Sequence, residues 1–502
     1  MPKARFIKLE KRIRNKEILQ KVTTPEEASL LIKDGMMVAT SGNPMMGYPK
    51  ATFLALAERI KREGGIKIDL ISAGPLGPEV EESLTLSKGI RTRIGAIGSG
   101  LLRDAVNRGE IRFVEGKGGQ LPNHVRQGRF GKIDVAVIEA IGITEEGYII
   151  PSTALYDSAD WVELASSIIV EINLLRPLEM EGIHDVYLKT PGRPIPIANP
   201  LDRIGTPYIP VDPGKIKFVV TSKVPDREAS EISTDIINKR IAKELISFLG
   251  EEIKNGRWNP RLHPLEMGVG GIGGAILQEL NETDWGPFFF YMPAITDPVL
   301  DLIDSSKAGG ASGLALRLSS KAWKRFAHDI ERYKKFIVLR PISISNSPEV
   351  IQRLGITSIN VGLEADLQGQ INSSHLMGSK IWAGVAGSYD YSRNGAISIF
   401  TLPSTAKGGK ISSVVPLVSH VDHTEHDVDV IVTEQGFADL RGLDPWERAQ
   451  RIIEKCAHPD YRNLLLDYLK RAKRDSNHIP LSLDEAFSFY RRLREKGNMK
   501  EE

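Results

Sequence analysis

Short runs of Ile, Val and other apolar residues recur along this sequence, and most are followed by a loop with Gly or Pro and then by a helical pattern. This alternation is typical of an open, mostly parallel α/β sheet, in which helices connect neighbouring strands. The sequence predicts strands at 36–40, 66–72, 133–140, 167–172 and 217–221, and then at 335–340, 356–361, 396–400 and 428–433. In such sheets ligands bind beyond the carboxyl ends of the strands, so the loops that follow these runs are the first places to look for a site.

The length of the chain predicts two domains, because 502 residues exceed what one hydrophobic core normally holds. A polar stretch from Ser222 to Ser230 is the expected linker. It divides the chain into an N-terminal α/β domain, residues 1–225, and a C-terminal α/β domain, residues 226–502, that carries the glycine loops and a helical tail. The predicted helices are Leu9–Lys21, one capped by Thr23 or Thr24 that runs from Pro25 to Gly35, 51–61, Thr234–Leu249, and a tail helix capped by Asp444.

Charge and hydropathy exclude several classes of partner. A net charge of +2 gives no field that would attract nucleic acid or an anionic membrane. We find no apolar run of the ~18 residues that a transmembrane helix needs, and the basic N-terminus lacks the apolar core of a signal peptide. The single cysteine, Cys456, lies in a helical pattern and is predicted to be buried. We therefore expect a cytoplasmic protein, and a homodimer, since large α/β enzymes are often symmetric oligomers.

The densest motif is a glycine loop with five glycines in the seven positions from Gly268 to Gly274. Without Cβ atoms the main-chain amides are open to a phosphate or an oxyanion, and the apolar run that follows can place them at a helix N-terminus. The spacing of Gly268, Gly270 and Gly273 also fits a dinucleotide fingerprint. However, Asn259 to Glu266 contains two prolines and no β-branched run, so it does not predict the strand that such a site needs. A purely structural glycine turn remains an alternative.

Three further loops carry candidate groups at or near strand ends. Ser345–Glu349 contains Asn346, Ala383–Asp390 offers backbone donors around Gly384 and Gly387, and Glu434 follows the strand that ends at Thr433. Each loop by itself is also the pattern of an ordinary turn.

A histidine-rich segment lies between Ser419 and Asp427, with three histidines and three carboxylates. These residue types could bind zinc or iron, but H-x-x-H-x-x-H is not an established zinc pattern. We therefore predict no metal site here, and interpret the segment as a hydrogen-bonded loop near the active cleft.

Seven segments together resemble the acetyl-CoA hydrolase/transferase family, whose members include succinyl-CoA:acetate CoA-transferases. The resemblance covers nearly the whole chain, and its most specific part runs from Val418 to Leu443. The segments are Arg12–Asn15, Ser41–Lys50, Asp202–Pro210, Ser345–Glu349, Pro403–Gly409, Val418–Asp427 and Val432–Leu443. The resemblance implies two CoA-transferase-like α/β domains with the active site between them. It also implies an acyl-CoA thioester of a small carboxylic acid (acetate, propionate or succinate) as substrate, possibly a carboxylate acceptor, and no bound cofactor.

In enzymes of this kind a glutamate attacks the thioester, and a glutamyl-CoA intermediate then passes CoA to an incoming acid. By matching positions, the amides of Val269 and Gly387 would receive the oxyanion, Asn346 would orient the reacting groups, and Glu434 would hold or polarise the acceptor. The residues that would lie along CoA are Gly268, Gly270, Gly271, Gly384 and Lys407.

The sequence departs from the family at the position of that nucleophilic glutamate. Tyr291 on one side and Asp297 on the other fix the frame, and the glutamate position is then Pro293. Proline has no titratable group, so the anhydride route cannot operate there. Glu266 and Glu434 are the nearest substitutes by motif position. Direct hydrolysis, with water activated by Glu434, or a different CoA-dependent step is favoured over ping-pong transfer. The alternative is a catalytically silent CoA-binding or regulatory protein.

Overall fold

The computed structural model describes residues 9–42, 46–190, 192–227, 235–475 and 478–500. The predictions that concern residues 1–8, 43–45, 228–230, Thr234 and 501–502 lie outside these ranges. The strands are β1 Val22–Thr23, β2 Met37–Thr40, β3 Ile68–Ser72, β4 Ile90–Gly95, β5 Arg112–Glu115, β6 Ile133–Ile143, β7 Ile149–Pro151, β8 Ala165–Asn173, β9 Ile216–Ser222, β10 Leu265–Met267, β11 Phe288–Thr296, β12 Ala308–Arg317, β13 Ile337–Leu339, β14 Thr357–Val361, β15 Glu364–Asp366, β16 Ile371–Asn372, β17 His375–Leu376, β18 Lys380–Ile381, β19 Ile397–Thr401, β20 Thr405–Ala406, β21 Ile411–Ser412, β22 Val414–Val415, β23 Val430–Thr433 and β24 Gly436–Asp439.

The helices connect these strands and form the tail. They are α1 Lys16–Leu19, α2 Pro25–Ser29, α3 Ala51–Glu63, α4 Pro78–Leu86, α5 Gly100–Asn107, α6 Leu121–Arg126, α7 Ser158–Leu164, α8 Ile236–Lys254, α9 Gly271–Glu282, α10 Asp297–Asp304, α11 Ser320–His328, α12 Ile330–Tyr333, α13 Ile342–Ser345, α14 Pro348–Leu354, α15 Ser388–Asn394, α16 Pro445–Cys456, α17 Pro459–Asp475 and α18 Ser488–Lys496. Among the described residues, no helix is both long enough and apolar enough to span a membrane.

The chain forms two compact units. The first contains the described residues of the range 1–230 together with Phe290–Leu300 and Gly310–Val350, and the second contains those of 231–289, Asp301–Gly309 and 351–502. The predicted division after residue 225 lies near the first break, while Phe290–Leu300 and Gly310–Val350 belong to the first unit. The reason is long-range pairing, because isolated bridges join Ala154 to Ala315 and His184 to Leu339.

The first unit is built on a sheet with the strand order β1-β9-β8-β6-β2-β3-β4-β5. Every neighbouring pair in this order is parallel, and β7 adds an antiparallel edge to β6. All five strands predicted for the N-terminal half are present as β2, β3, β6, β8 and β9. Strands β4 and β5 were not expected, because arginines interrupt their apolar pattern.

The second unit has the strand order β10-β14-β19-β23-β24. The first four strands are parallel, and β24 returns antiparallel to β23. Helix α8 packs on β23 and β24, where Phe248 meets Phe437 edge to face at 5.5 Å between ring centroids. Two mostly parallel α/β sheets are thus present, as the sequence predicted.

The N-termini of two helices and the burial of Cys456 agree with the sequence predictions. The side chain of Thr24 accepts a hydrogen bond from the N–H of Glu27 and begins α2, and Asp444 forms a capping box with Glu447 at the start of α16. Cys456 is fully buried, and burial raises the pKa of its thiol to about 12. This thiol is therefore an inert packing residue.

The predicted basic helix over Leu9–Lys21 is wrong. Within this range the structure has helical residues at Leu9–Glu10 and a separate helix over Lys16–Leu19 that is capped by Asn15, because Ile13 between them pairs with Ile143 of β6. The N–H of Arg14 donates to the carbonyl of Ile143 at 3.0 Å. Helix α2 is also shorter than predicted, since residues 30–32 continue as i→i+3 turns.

Candidate functional site

The glycine loop follows strand β10 of the second unit. Met267 pairs with Ile359 of the parallel strand β14, and the N–H of Gly268 donates to the carbonyl of Ile359 at 3.0 Å. Helix α9 then begins at Gly271. Our prediction that no strand precedes the loop is wrong, because β10 is only three residues long and follows Pro264 without any β-branched run.

The glycines of this loop have different structural roles. A Cβ on Gly273 would lie 2.3 Å from the carbonyl oxygen of Gly268, so Gly273 is needed for the turn to pack against its own helix. A Cβ on Gly268 would have its nearest neighbour at 3.9 Å, and one on Gly270, where φ is +153°, would meet nothing within 4 Å. The outer side of the turn is therefore open to a ligand, in front of the amides that begin a 12-residue helix.

Glu266 lies beneath this loop with its side chain turned inward. It is only 1% exposed and accepts hydrogen bonds from Ser358 Oγ and Asn360 Nδ2, each at 3.1 Å. Burial raises the pKa of Glu266 to about 8, so its carboxyl group is mostly protonated at neutral pH.

The bend around Gly387 lies at the same edge of the sheet as the glycine loop. Gly387 is the N-cap of α15, which packs on β14 and β19 and leads into the amino end of β19 at Ile397. A helix that enters a strand in this way runs antiparallel to it, so its N-terminus lies at the carboxyl ends of the parallel strands. Gly384 precedes this bend, and Ala386 within it has φ of +50°.

His423 supports the bend from behind. Its ring nitrogens lie 3.3 Å from Ser388 Oγ and 3.1 Å from Ser392 Oγ, and its ring packs on Phe400 with centroids 4.6 Å apart. Burial lowers the pKa of His423 to about 4, so the ring is neutral at neutral pH. The histidine-rich segment is thus a hydrogen-bonded loop in this part, as predicted, while His426 points outward with a side chain that is 83% exposed.

Glu434 follows β23 directly and lies at this same edge. Its Oε2 accepts the backbone N–H of Ser404 at 2.8 Å, and its Oε1 accepts the Ser404 hydroxyl and, at 3.1 Å, the side-chain amide of Gln435. Every one of these partners is a donor, which is the arrangement that orients an ionised carboxylate. Unlike Glu266, Glu434 is only partly buried.

The remaining predicted residues lie elsewhere. Lys407 is exposed between β20 and β21 of the second unit, with φ of +47°. Asn346 is in the first unit, 3% exposed at the C-cap of α13. Pro293 is in strand β11 of the first unit, where the neighbouring Tyr291 donates its hydroxyl to the carbonyl of Ile344 at 3.3 Å. Of the predicted set, the second unit brings Gly268, Val269, Gly270, Gly271, Gly387 and Glu434 to one edge of its sheet.

A cavity in the first unit was missed by sequence reasoning. It measures about 490 Å³, and the groups that matter for its charge are Arg176, Asp226, Arg227, Trp323 and Lys324. Arg176 and Asp226 follow the carboxyl ends of β8 and β9. The stretch that contains Asp226 was interpreted as a linker, and only its position just after a strand could have indicated a site.

A buried ion pair fixes the acidic group of this cavity. Lys50 Nζ lies 2.7 Å from Asp226 Oδ1 and 2.8 Å from Glu139 Oε2, and all three side chains are at most 2% exposed. Burial by itself lowers the pKa of Lys50, but Glu139 and Asp226 outweigh it and raise the pKa. Arg176 also pairs with Asp226 at 2.5 Å and stacks on Trp323. The negative charge of Asp226 is compensated by Lys50 and Arg176. The cavity therefore keeps the positive charges of Arg227 and Lys324, which suit an anion.

The chain is similar to known proteins over nearly its whole length. Residues 7–221 match the acetyl-CoA hydrolase/transferase N-terminal domain, and residues 323–469 match the C-terminal domain of the same family. The chain is 41% identical over 496 residues to the succinyl-CoA:acetate CoA-transferase of Clostridium kluyveri, an alignment that covers 98% of this chain and 92% of that one. It is 37% identical to the propanoyl-CoA:succinate CoA transferase of Escherichia coli K12, with 95% and 98% covered, and 37% identical to the acetyl-CoA hydrolase of Candida glabrata, with 98% of each covered.

Solved structures share the fold. RipA from Yersinia pestis superposes with a TM-score of 0.70 at 22% identity, covering 90% of this chain and 98% of that one. A 4-hydroxybutyrate CoA-transferase from Porphyromonas gingivalis superposes with a TM-score of 0.61 at 21% identity and the same coverage. The fold is thus that of CoA-transferase-like α/β proteins. The chain belongs to the acetyl-CoA hydrolase/transferase family, a family of enzymes that act on small acyl-CoA thioesters.

Proposed function

We propose that this protein hydrolyses the CoA thioester of a small carboxylic acid at the sheet edge of its second unit that carries the glycine loop, Gly387 and Glu434. The observation that carries the proposal is the carboxylate of Glu434, which is held by three donors and is only partly buried. The names of its relatives, which include acetyl-CoA hydrolases, support the choice of reaction.

The chemistry follows from the groups at this edge. Glu434 takes a proton from a water molecule as the water oxygen attacks the thioester carbonyl carbon. The N–H groups of Val269 and Gly387 donate hydrogen bonds to the carbonyl oxygen, which becomes an oxyanion in the tetrahedral intermediate. Collapse of the intermediate breaks the C–S bond, and the CoA thiolate takes up the proton, so the products are the free acid and CoA. Gly268, Gly270, Gly271, Gly384 and Lys407 are the proposed contacts of CoA, and Asn346 is proposed to orient the reacting groups.

Glu434 is preferred to Glu266 as the carboxylate of the reaction. Glu266 is 1% exposed, and its raised pKa keeps it protonated at neutral pH, so it offers neither a nucleophile nor a base to a ligand outside. Its hydrogen bonds to Ser358 and Asn360 instead tie β10 to β14 beneath the glycine loop.

Hydrolysis is preferred to transfer because of Pro293. We propose that this proline stands where the family's nucleophilic glutamate stands, and a proline cannot form the acyl-glutamyl anhydride. Two observations favour other functions. The 41% identity to a CoA-transferase, together with the cationic cavity of the first unit, favours transfer to a carboxylate acceptor, while Pro293 itself also favours a silent CoA-binding protein.

One experiment separates the three functions. The purified chain is incubated with acetyl-, propionyl- and succinyl-CoA, with and without free acetate or succinate, while thiol release and CoA exchange are followed. Hydrolysis predicts thiol release that needs no acceptor and that falls about 10²–10⁴-fold in Glu434→Gln. Exchange that requires an acceptor, without thiol release, would establish transfer, and tight CoA binding with neither activity would establish the silent protein.

The control is Glu454→Gln. Glu454 is an exposed carboxylate on α16 of the same unit, so this variant should keep full activity. Thermal melting of both variants shows whether either loses activity through unfolding. We also propose a homodimer, which light scattering tests.

A further inference from the structure

Three side chains of types that can bind a metal ion meet in the second unit, and the proposed reaction uses none of them. We call His375, His420 and Asp422 the histidine–aspartate cluster. One ligand atom from each lies within 4.8 Å of the others, and the two imidazole rings are 3.9 Å apart between centroids. Nε2 of His420 is 3.3 Å from Oδ1 of Asp422.

The backbone holds the two segments of this cluster in fixed register. The N–H of Asp422 donates to the carbonyl of Ile371 at 3.0 Å, and the N–H of Ser373 donates back to Oδ2 of Asp422 at 2.6 Å. The cluster is therefore preorganised by main-chain pairing, and it does not depend on long flexible side chains.

Ser374 orients two of the three ligands. Its hydroxyl donates to Oδ1 of Asp422 at 2.7 Å and lies 2.7 Å from Nδ1 of His375. Because the hydroxyl proton is used on Asp422, the Ser374 oxygen accepts from Nδ1–H of His375. That tautomer leaves the lone pair on Nε2 of His375, and a hydrogen bond of this kind at the other ring nitrogen is the usual support of a metal-binding histidine.

We propose that His375, His420 and Asp422 bind one divalent transition-metal ion, with zinc preferred. Two imidazoles and a carboxylate suit Zn²⁺, and bonds of about 2.05 Å in a tetrahedron place neighbouring ligand atoms about 3.3 Å apart. That is the spacing already present between His420 and Asp422. The side chain of His420 is 37% exposed, which gives the ion access from solvent, and a water molecule completes the coordination.

The role of the ion follows from what adjoins it. The segment with His420 and Asp422 continues into His423, whose ring supports the bend at Gly387. A metal that joins His375 to this segment therefore stabilises the loop behind the catalytic edge and takes no part in the reaction. The histidine-rich segment alone does not form the site, because His426 points outward and His375 comes from a different part of the chain.

Cobalt substitution tests the site directly. The untagged full chain, treated with a chelator and dialysed, is titrated with Co²⁺ alone, and visible d–d absorption and equilibrium dialysis report geometry and stoichiometry. One equivalent bound with a tetrahedral spectrum, displaced by Zn²⁺, is the expected result. We expect His375→Gln and His420→Gln each to weaken binding at least about 10-fold, and Ser374→Ala to weaken it about 10–100-fold as an outer-shell change.

His426→Gln is the matched control, since His426 lies in the same segment but is exposed, and it should bind Co²⁺ like the wild type. Bound metal should also raise the melting temperature of the wild type and not that of His420→Gln. The proposal is overturned if the wild type binds less than stoichiometric Co²⁺, or if binding is unchanged in both His375→Gln and His420→Gln. Neither result bears on the hydrolysis assay.

Discussion

Ser404 donates hydrogen bonds to both carboxylate oxygens of Glu434, its backbone N–H to Oε2 at 2.8 Å and its side-chain hydroxyl to Oε1. Ser404, which follows β19, thereby fixes a carboxylate at the end of the neighbouring parallel strand β23. Two contacts from one residue define the rotation of the carboxylate plane as well as its position. This is the kind of support that a general base needs if it is to hold a water molecule in one direction.

Ser404→Ala tests this support. The variant keeps the backbone N–H but loses the hydroxyl, so the carboxylate of Glu434 stays in place with less orientational control. We expect kcat for acyl-CoA hydrolysis to fall about 10-fold with little change in KM, because orientation acts mainly on the chemical step. Steady-state thiol release checks this. An unchanged kcat, with melting like the wild type, would show that the hydroxyl contributes nothing to catalysis.

Glu266→Gln tests the buried carboxyl group beneath the glycine loop. The pKa of Glu266 is about 8 in the folded chain against an ordinary value of 4.5, so between these pH values the folded state holds a proton that the unfolded state has lost. Stability from this group is therefore present below pH 4.5 and is lost as the pH rises toward 8, at up to about 1.4 kcal/mol per pH unit. We expect Glu266→Gln to melt at a higher temperature than the wild type at pH 8, and the advantage to shrink toward pH 5. A difference that does not change with pH would contradict the raised pKa.

A pair of glycine substitutions separates folding from binding in the glycine loop. Gly273→Ala places a methyl group 2.3 Å from the carbonyl oxygen of Gly268, so the variant should lose about 1–3 kcal/mol of stability through overpacking. Gly268→Ala has room for its methyl group in the folded chain, so its melting temperature should stay near that of the wild type while KM for acyl-CoA rises. Thermal melts and kinetics of both variants check this. Equal KM in Gly268→Ala and the wild type would place CoA elsewhere.

His423→Gln tests the residue behind the Gly387 bend. The Ser388 hydroxyl already donates to the carbonyl of Val385 at 2.6 Å, so it accepts from Nε2–H of His423, whose Nδ1 in turn accepts from Ser392. The pKa of about 4 lies below the ordinary 6.5, so the unfolded chain binds a proton first and the wild type loses stability as the pH falls from 6.5 toward 4.

For this variant we expect a weaker pH dependence of the melting temperature over that range and a roughly 10-fold lower kcat, since one oxyanion donor is less well placed. His426→Gln is the control, because that side chain is exposed. A wild-type pH profile of stability in His423→Gln would show that another group titrates there.

Much of the fold could be read from the sequence because its long strands are locally consistent. Strand β6 is a nearly uninterrupted apolar run, as expected for a buried parallel strand, and β8 has the apolar run Ile168–Val170 at its centre. Strand β12 was not predicted because its sequence is rich in Gly and Ala, and pairing with its neighbours β11 and β13 makes it a strand. Strand β10 was missed for a similar reason, since three residues carry too little local preference and the parallel pairing to β14 determines their conformation.

The candidate site could be predicted in part. Glu434 follows a strand that the sequence predicts, so its position at the carboxyl edge follows from the parallel sheet, whereas the strand before the glycine loop was missed and the loop was recognised only by its glycines. The sequence does not show how deeply a side chain is buried. That burial decides whether Glu266 or Glu434 can be the carboxylate of the reaction. The cavity around Asp226 and the meeting of His375 with His420 depend on tertiary contacts between distant segments, which leave no local pattern.

Pro293→Glu tests the assignment of the missing nucleophile. Pro293 is partly exposed within β11, so a glutamate there would place a carboxylate on a rigid strand. If the position is that of the family's nucleophile, this carboxylate can attack the thioester, form the acyl-glutamyl anhydride and then the glutamyl-CoA thioester. We expect acceptor-dependent CoA exchange to appear in Pro293→Glu, together with a borohydride-sensitive adduct on residue 293 detected by mass spectrometry.

Pro293→Gln is the control, because glutamine has the size of glutamate without its charge, and this variant should show neither. Exchange in both variants would mean that relief of the proline constraint, and not a new nucleophile, changed the reaction, and exchange in neither would place the family's nucleophile at a different position of this chain.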